Sequence, residues 1–95
     1  MINVTVRSVM QIAKVLGSRR LTLELPDECD VLGLLLCLSD QYGDEARDLF
    51  FTGGEYKNGH NVIMVNGRSI LACGGVSCQL KDGDEVLIMP MLAGG

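Results

Sequence analysis

The chain has 95 residues, 47% apolar and 21% charged, with a formal charge of −4. That length makes one domain with one core, and the hydrophobicity argues against disorder. The acidic balance, with Arg19-Arg20 the sole adjacent basic pair, speaks against nucleic-acid binding, and the longest nearly unbroken apolar stretch, 31–38, is far too short to span a bilayer.

The N-terminus alternates polar and apolar residues and lacks the charged start and apolar run of a signal peptide. A soluble, cytosolic protein is expected. Ile2, Val4 and Val6 alternate with Asn3, Thr5 and Arg7, which predicts a half-buried strand over 2–9. Met10 to Leu16 breaks that alternation and reads as a short helical turn closed by Gly17-Ser18. Leu21, Leu23 and Leu25 form a second strand ended by Pro26, and the two strands are expected to pair as an antiparallel hairpin.

Asp30 is a plausible N-cap for the helix that follows. Val31, Leu34, Leu35, Leu38 and Tyr42 make its apolar stripe, and Gly43 stops it. Gly33 inside the helix costs roughly 1 kcal/mol relative to Ala. Leu32 and Leu36 widen the apolar face. A second, short helix is expected over 44–51, with Leu49 and Phe50 toward the core.

Thr52-Gly53-Gly54 and Lys57-Asn58-Gly59 mark a loop, with His60 on the surface. The continuous apolar run Val62 to Val65 predicts a strand over 61–66 buried on both faces. Asn66-Gly67 is a tight-turn dipeptide, and 68–73 reads as a short strand after it. Gly74-Gly75 is loop, and 81–84 is a turn. The last strand runs over 85–89, and Pro90 is expected to end its pairing by removing a ladder donor.

The order β-β-α-(α)-β-β-β makes a two-layer α+β fold. A mixed sheet of four or five strands carries one main helix across one face, as in a β-grasp, the ubiquitin-like roll. Residues 1–90 would be the domain and 91–95 a flexible arm.

Four cysteines are present: Cys29, Cys37, Cys73 and Cys78. Their even count invites a disulfide reading, but no secretory signal supports it, and the absence of a CxxC makes a zinc site improbable. Cys37, among leucines, reads as a small buried hydrophobe.

The arm ends in Gly94-Gly95. A glycine carboxylate has no Cβ beside it, so it enters a narrow active site that other residues would not fit. Five residues beyond Pro90 reach at most ~17 Å, enough to present that carboxylate to another protein.

Residues 80–95, with Leu80-Lys81-Asp82-Gly83-Asp84-Glu85-Val86 followed by a short apolar strand, Pro90 and terminal glycines, resemble the small subunit of molybdopterin synthase. That subunit is a ubiquitin-like sulfur carrier related to the thiamine-pathway carrier. Val65-Asn66-Gly67-Arg68 resembles the family's turn, and Asp30 to Leu35 with Tyr42-Gly43 its helix. Met91 stands where the family commonly has a second proline, and Cys73 and Cys78 fall outside its pattern.

The resemblance implies a non-catalytic carrier. A ubiquitin-activating-type adenylyltransferase would spend ATP to convert the Gly95 carboxylate into an acyl-adenylate. Sulfur would then displace AMP to leave a thiocarboxylate, and the molybdopterin synthase large subunit would direct that sulfur to a pterin precursor. No cofactor would be bound permanently, and neither nucleic acid nor membrane is an expected partner. Gly94 and Gly95 are the expected reactive end, and Met91, Leu92 and Ala93 the inserted arm. Phe50, Phe51 and Met89 are candidates for an apolar partner surface, and Arg68 for a docking contact. Carriers for tRNA thiolation or thiamine thiazole, and a protein modifier forming isopeptide bonds through Gly95, share the same activation step. An inert ubiquitin-like module is the remaining class.

Overall fold

In the computed structural model, which describes residues 1–91, one mixed five-stranded sheet carries the helices on a single face. Strand β1 (Ile2–Ser8) runs into helix α1 (Met10–Leu16) and returns as β2 (Arg20–Leu25), antiparallel and in register from Ile2 opposite Leu25 to Arg7 opposite Arg20. Alternation dictates the faces: Val4, Val6, Leu23 and Leu25 are buried, while Asn3, Arg7, Thr22 and Glu24 face solvent.

Helix α2 (Val31–Tyr42) starts where the sequence places it. The Asp30 carboxylate accepts from the Gly33 N–H at 2.8 Å and satisfies one of the first-turn donors. Its stripe Val31, Leu34, Leu35 and Leu38 is fully buried. Gly43 alone separates α2 from α3 (Asp44–Phe50), with φ of +85°, a conformation that favours glycine. Asp44 and Glu45 in the first turn of α3 complement its dipole.

Beyond α3 the sequence reading changes. The expected loop contains a two-stranded ribbon, β3 (Phe51–Thr52) against β4 (Glu55–Tyr56), turned through Gly53-Gly54. Strand β5 (Asn61–Val65) has Ile63 buried, but Val62, Met64 and Val65 are only partly so. Burial on both faces is therefore corrected: the helices cover one face, and nothing in the described residues covers the other to the same depth. The strand expected over 68–73 shrinks to β6 (Arg68–Ser69), because the Ser69 hydroxyl accepts from the Leu71 N–H and turns the chain into a 3-10 helix, Ile70–Cys73. A second 3-10 turn spans Gly75–Ser77.

The final strand, β7 (Glu85–Pro90), lies between β1 and β5, giving the order β2-β1-β7-β5-β6. It is parallel to β1 and antiparallel to β5. Pro90 does not end the pairing. It sits opposite Asn61, and the next N–H, of Met91, donates to the His60 carbonyl at 3.0 Å. A proline at the end of a strand forfeits one donor without breaking the ladder on either side.

Two cysteine readings also change. Cys73 and Cys78 form a disulfide with Cα atoms 5.2 Å apart, so their sulfurs are not available as zinc ligands. Cys37 is half-buried rather than fully enclosed, and like Cys29 is a free thiol.

Candidate functional site

Two turns and the start of β1 converge at the end of the sheet that launches β7. In the Asn66-Gly67 turn both residues take positive φ, +51° and +81°, as a two-residue hairpin between β5 and β6 requires. The Asn66 side chain then reaches out of its own turn. Its amide N–H donates to the Asp84 carboxylate at 2.8 Å, and its oxygen accepts from the Glu85 N–H at 2.9 Å. Asp84 also accepts from the Lys81 N–H, closing the turn over 81–84. That turn is tied to β1 by Asn3, whose N–H donates to the Asp82 carboxylate and whose carbonyl accepts from the Gly83 N–H. The Val-Asn-Gly-Arg and Asp-Gly-Asp-Glu segments are thus one hydrogen-bonded clasp that sets the start of β7.

From that clasp β7 runs with neighbours on both sides. Val86 and Ile88 point into the core and are fully buried. Leu87 and Met89 therefore face the uncovered side of the sheet, where the register puts Met64 opposite Leu87 and Val62 opposite Met89. Arg7, opposite Leu87 on β1, pairs with Glu85 at 3.2 Å and edges this apolar patch with exposed charge. Met91, 51% exposed, continues the same alternation. Beside it lies a groove of about 100 Å³ lined by Tyr56, Val62, Ile70, Leu71, Val76 and Met91 among others. Leu71 on its wall is 85% exposed.

The anticipated site residues divide. Met89 lies on the open patch and Met91 at its end. Arg68 is exposed after the turn but belongs to a separate pocket with Lys81 and the disulfide. As partner surface Phe50 and Phe51 are corrected: they are 0% and 6% exposed, in the core where α3 gives way to β3, as the short helix had already placed Phe50. Leu92, Ala93, Gly94 and Gly95 lie outside the described residues. Sequence reasoning passed over Leu87, Met64 and Val62. The signal was present, since an apolar run longer than one core face needs leaves its alternate residues on the other face.

No protein-family model matches the chain. Small archaeal modifier protein 3 of Haloferax volcanii is 32% identical over 82 residues, covering 86% of this chain and 87% of that protein. The chain belongs to the ubiquitin-like sulfur-carrier and modifier family. The solution structure of small archaeal modifier protein 1 from Methanosarcina acetivorans, 30% identical, superposes with a TM-score of 0.83 over 100% of this chain and 98% of that one. A proposed molybdopterin converting factor subunit 1 from Pyrococcus furiosus shares the fold at 24% identity, with a TM-score of 0.78 and coverage of 97% and 100%. Within this ubiquitin-like family the β-grasp fold is the common element, and this chain carries it in full.

Proposed function

We propose that the chain is a cytosolic sulfur carrier whose Gly95 carboxylate is adenylated by a ubiquitin-activating-type enzyme and converted to a thiocarboxylate. The acceptor is a pterin precursor held by a molybdopterin synthase large subunit. The observation that carries the reading is the strand ahead of the Gly94-Gly95 doublet. Strand β7 is paired on both sides, fixed at its start by the Asn66–Asp84 clasp, and flanked at its end by open apolar surface at Met89 and Met91. A partner gripping that surface holds the following residues against its own active site, which lowers the entropic cost of aligning the carboxylate. The thiocarboxylate shares its negative charge with sulfur and is nucleophilic at neutral pH. The carrier supplies the acyl end, and the partner supplies the chemistry.

A second reading is favoured by the likeness to a protein named as a small archaeal modifier: the same activated Gly95 passes to a lysine as an isopeptide. Co-expression with a cognate activating enzyme and a sulfur source tests both. The carrier gains about 16 Da as oxygen is exchanged for sulfur. Unchanged mass, or activation that survives deletion of Gly95, overturns the proposal. Recovery of Gly95 joined to lysines of other proteins, with no sulfur transferred to a pterin, selects the modifier reading.

A further inference from the structure

The Cys73–Cys78 bond joins two unlike residues. Cys73 is exposed at the end of the first 3-10 helix, whereas Cys78 is 4% exposed and anchored. The Cys78 carbonyl accepts from the Val31 N–H at 3.0 Å, Gln79 bridges to Asp30, and the Leu80 N–H donates to the Cys29 carbonyl at 2.9 Å. On the other side Ile70 is buried. The segment between these anchors carries Leu71 and Val76, the outer wall of the groove beside Met91. The disulfide is the covalent link that holds the exposed end of this wall to its anchored end.

We propose that the Cys73–Cys78 pair is a reversible redox site, opened by a dithiol reductant, whose state sets the shape of the groove beside Met91. The bond borders an open pocket of about 350 Å³ that also includes Arg68, Ser69, Lys81 and Asp84. A reductant thiolate reaches the Cys73 sulfur from this side and forms a mixed disulfide. The Cys73–Cys78 bond breaks, and Cys78 leaves as a thiolate that takes up a proton. The second thiol of the reductant then attacks the mixed disulfide, leaves as the reductant's own disulfide and releases the Cys73 thiol. Two electrons and two protons pass to the carrier.

The fold is built to survive the change. The backbone bonds at Cys78 and Leu80 remain in either state, and a buried thiol at Cys78 packs as a small hydrophobe. Cys29 and Cys37 do not compete for this role, since both are free thiols with no bond to open.

The test uses the full chain with dithiothreitol as the dithiol. Alkylation in denaturant after quenching counts two thiols in the oxidised form, Cys29 and Cys37, and four once the pair is open. Without denaturant, dithiothreitol should give four thiols, a gain of about 2 Da, and restoration of two thiols on transfer to oxidised glutathione. Hydrogen exchange over 70–77 should rise about tenfold on reduction while β1 and β7 amides stay within about twofold. Cys73→Ser, which keeps the buried Cys78, should reproduce the reduced pattern. A bond that resists reduction in the folded chain, one that fails to re-form, an unchanged exchange over 70–77, or an equal rise across the sheet overturns the proposal. These readouts do not involve Gly95, so they stand or fall separately from the carrier reading.

Discussion

Gly33 shows what a single residue contributes and how its reason can lie outside its own element. Helix propensity counts it as a defect of roughly 1 kcal/mol. A Cβ built there would meet the Cys29 sulfur at 2.6 Å and the Asp30 carboxylate at 3.4 Å, so the missing side chain makes room for the turn that enters the helix. Gly33→Ala should therefore destabilise the fold by about 1 kcal/mol net, overpacking outweighing the helix gain. In a Cys29→Ala background the same change should become neutral or stabilising. Urea denaturation of the four proteins of that cycle checks this, and equal losses in both backgrounds would refute the packing account. Cys29 and Cys37 also make stability depend on pH. Burial raises both thiols, and for Cys29 the charge of Asp30 adds to it, so the folded state holds these protons more tightly than the unfolded state. Their contribution is whole below the ordinary thiol value of 9.0 and is lost as pH climbs through the raised folded values. Denaturation midpoints at about pH 8 and pH 10 should fall less steeply in Cys29→Ala/Cys37→Ala than in the parent.

Among the elements, the clasp between the Asn66-Gly67 turn and the turn over 81–84 carries the most information. Both turns were legible as turns, since Asn-Gly and Asp-Gly need backbone freedom that few other pairs allow. That they bond each other was not legible, because Asn66 and Asp84 are 18 residues apart and meet only when β5 and β7 pair. Asn66→Ala removes two hydrogen bonds and places a Cβ residue without local compensation at φ of +51°. A loss of about 1–2 kcal/mol is expected, read from the urea midpoint. Strand β6 illustrates the converse. The residues after Gly67 are apolar enough for a strand, but the Ser69 hydroxyl offers the backbone a local alternative and the chain takes it.

At the scale of the whole molecule, one layer of helices on a five-stranded sheet leaves a face open among the described residues, and this organises the surface available to partners. Leu87→Glu should weaken binding of an activating enzyme more than tenfold while changing stability by no more than about 1 kcal/mol, because the side chain is half-exposed. Titration calorimetry with thermal melting separates the two effects. A similar charge at Arg68, in the pocket beside the disulfide, should change binding less.

By itself the sequence determined the first hairpin, the main helix with its Asp30 cap, the Gly43 break, the turns and the glycine doublet, because each of these depends on a few neighbouring residues and their own backbone preferences. Tertiary structure alone decided which side of β5 and β7 is covered, that Phe51 is interior, that Pro90 stays in the ladder, and that Cys73 meets Cys78. An unbroken apolar run states that a strand is hydrophobic without stating which layer packs on it. A cysteine pair states nothing about whether two loop ends meet. Those outcomes follow from how helices, strands and loops come together, and that arrangement is a property of the packed whole.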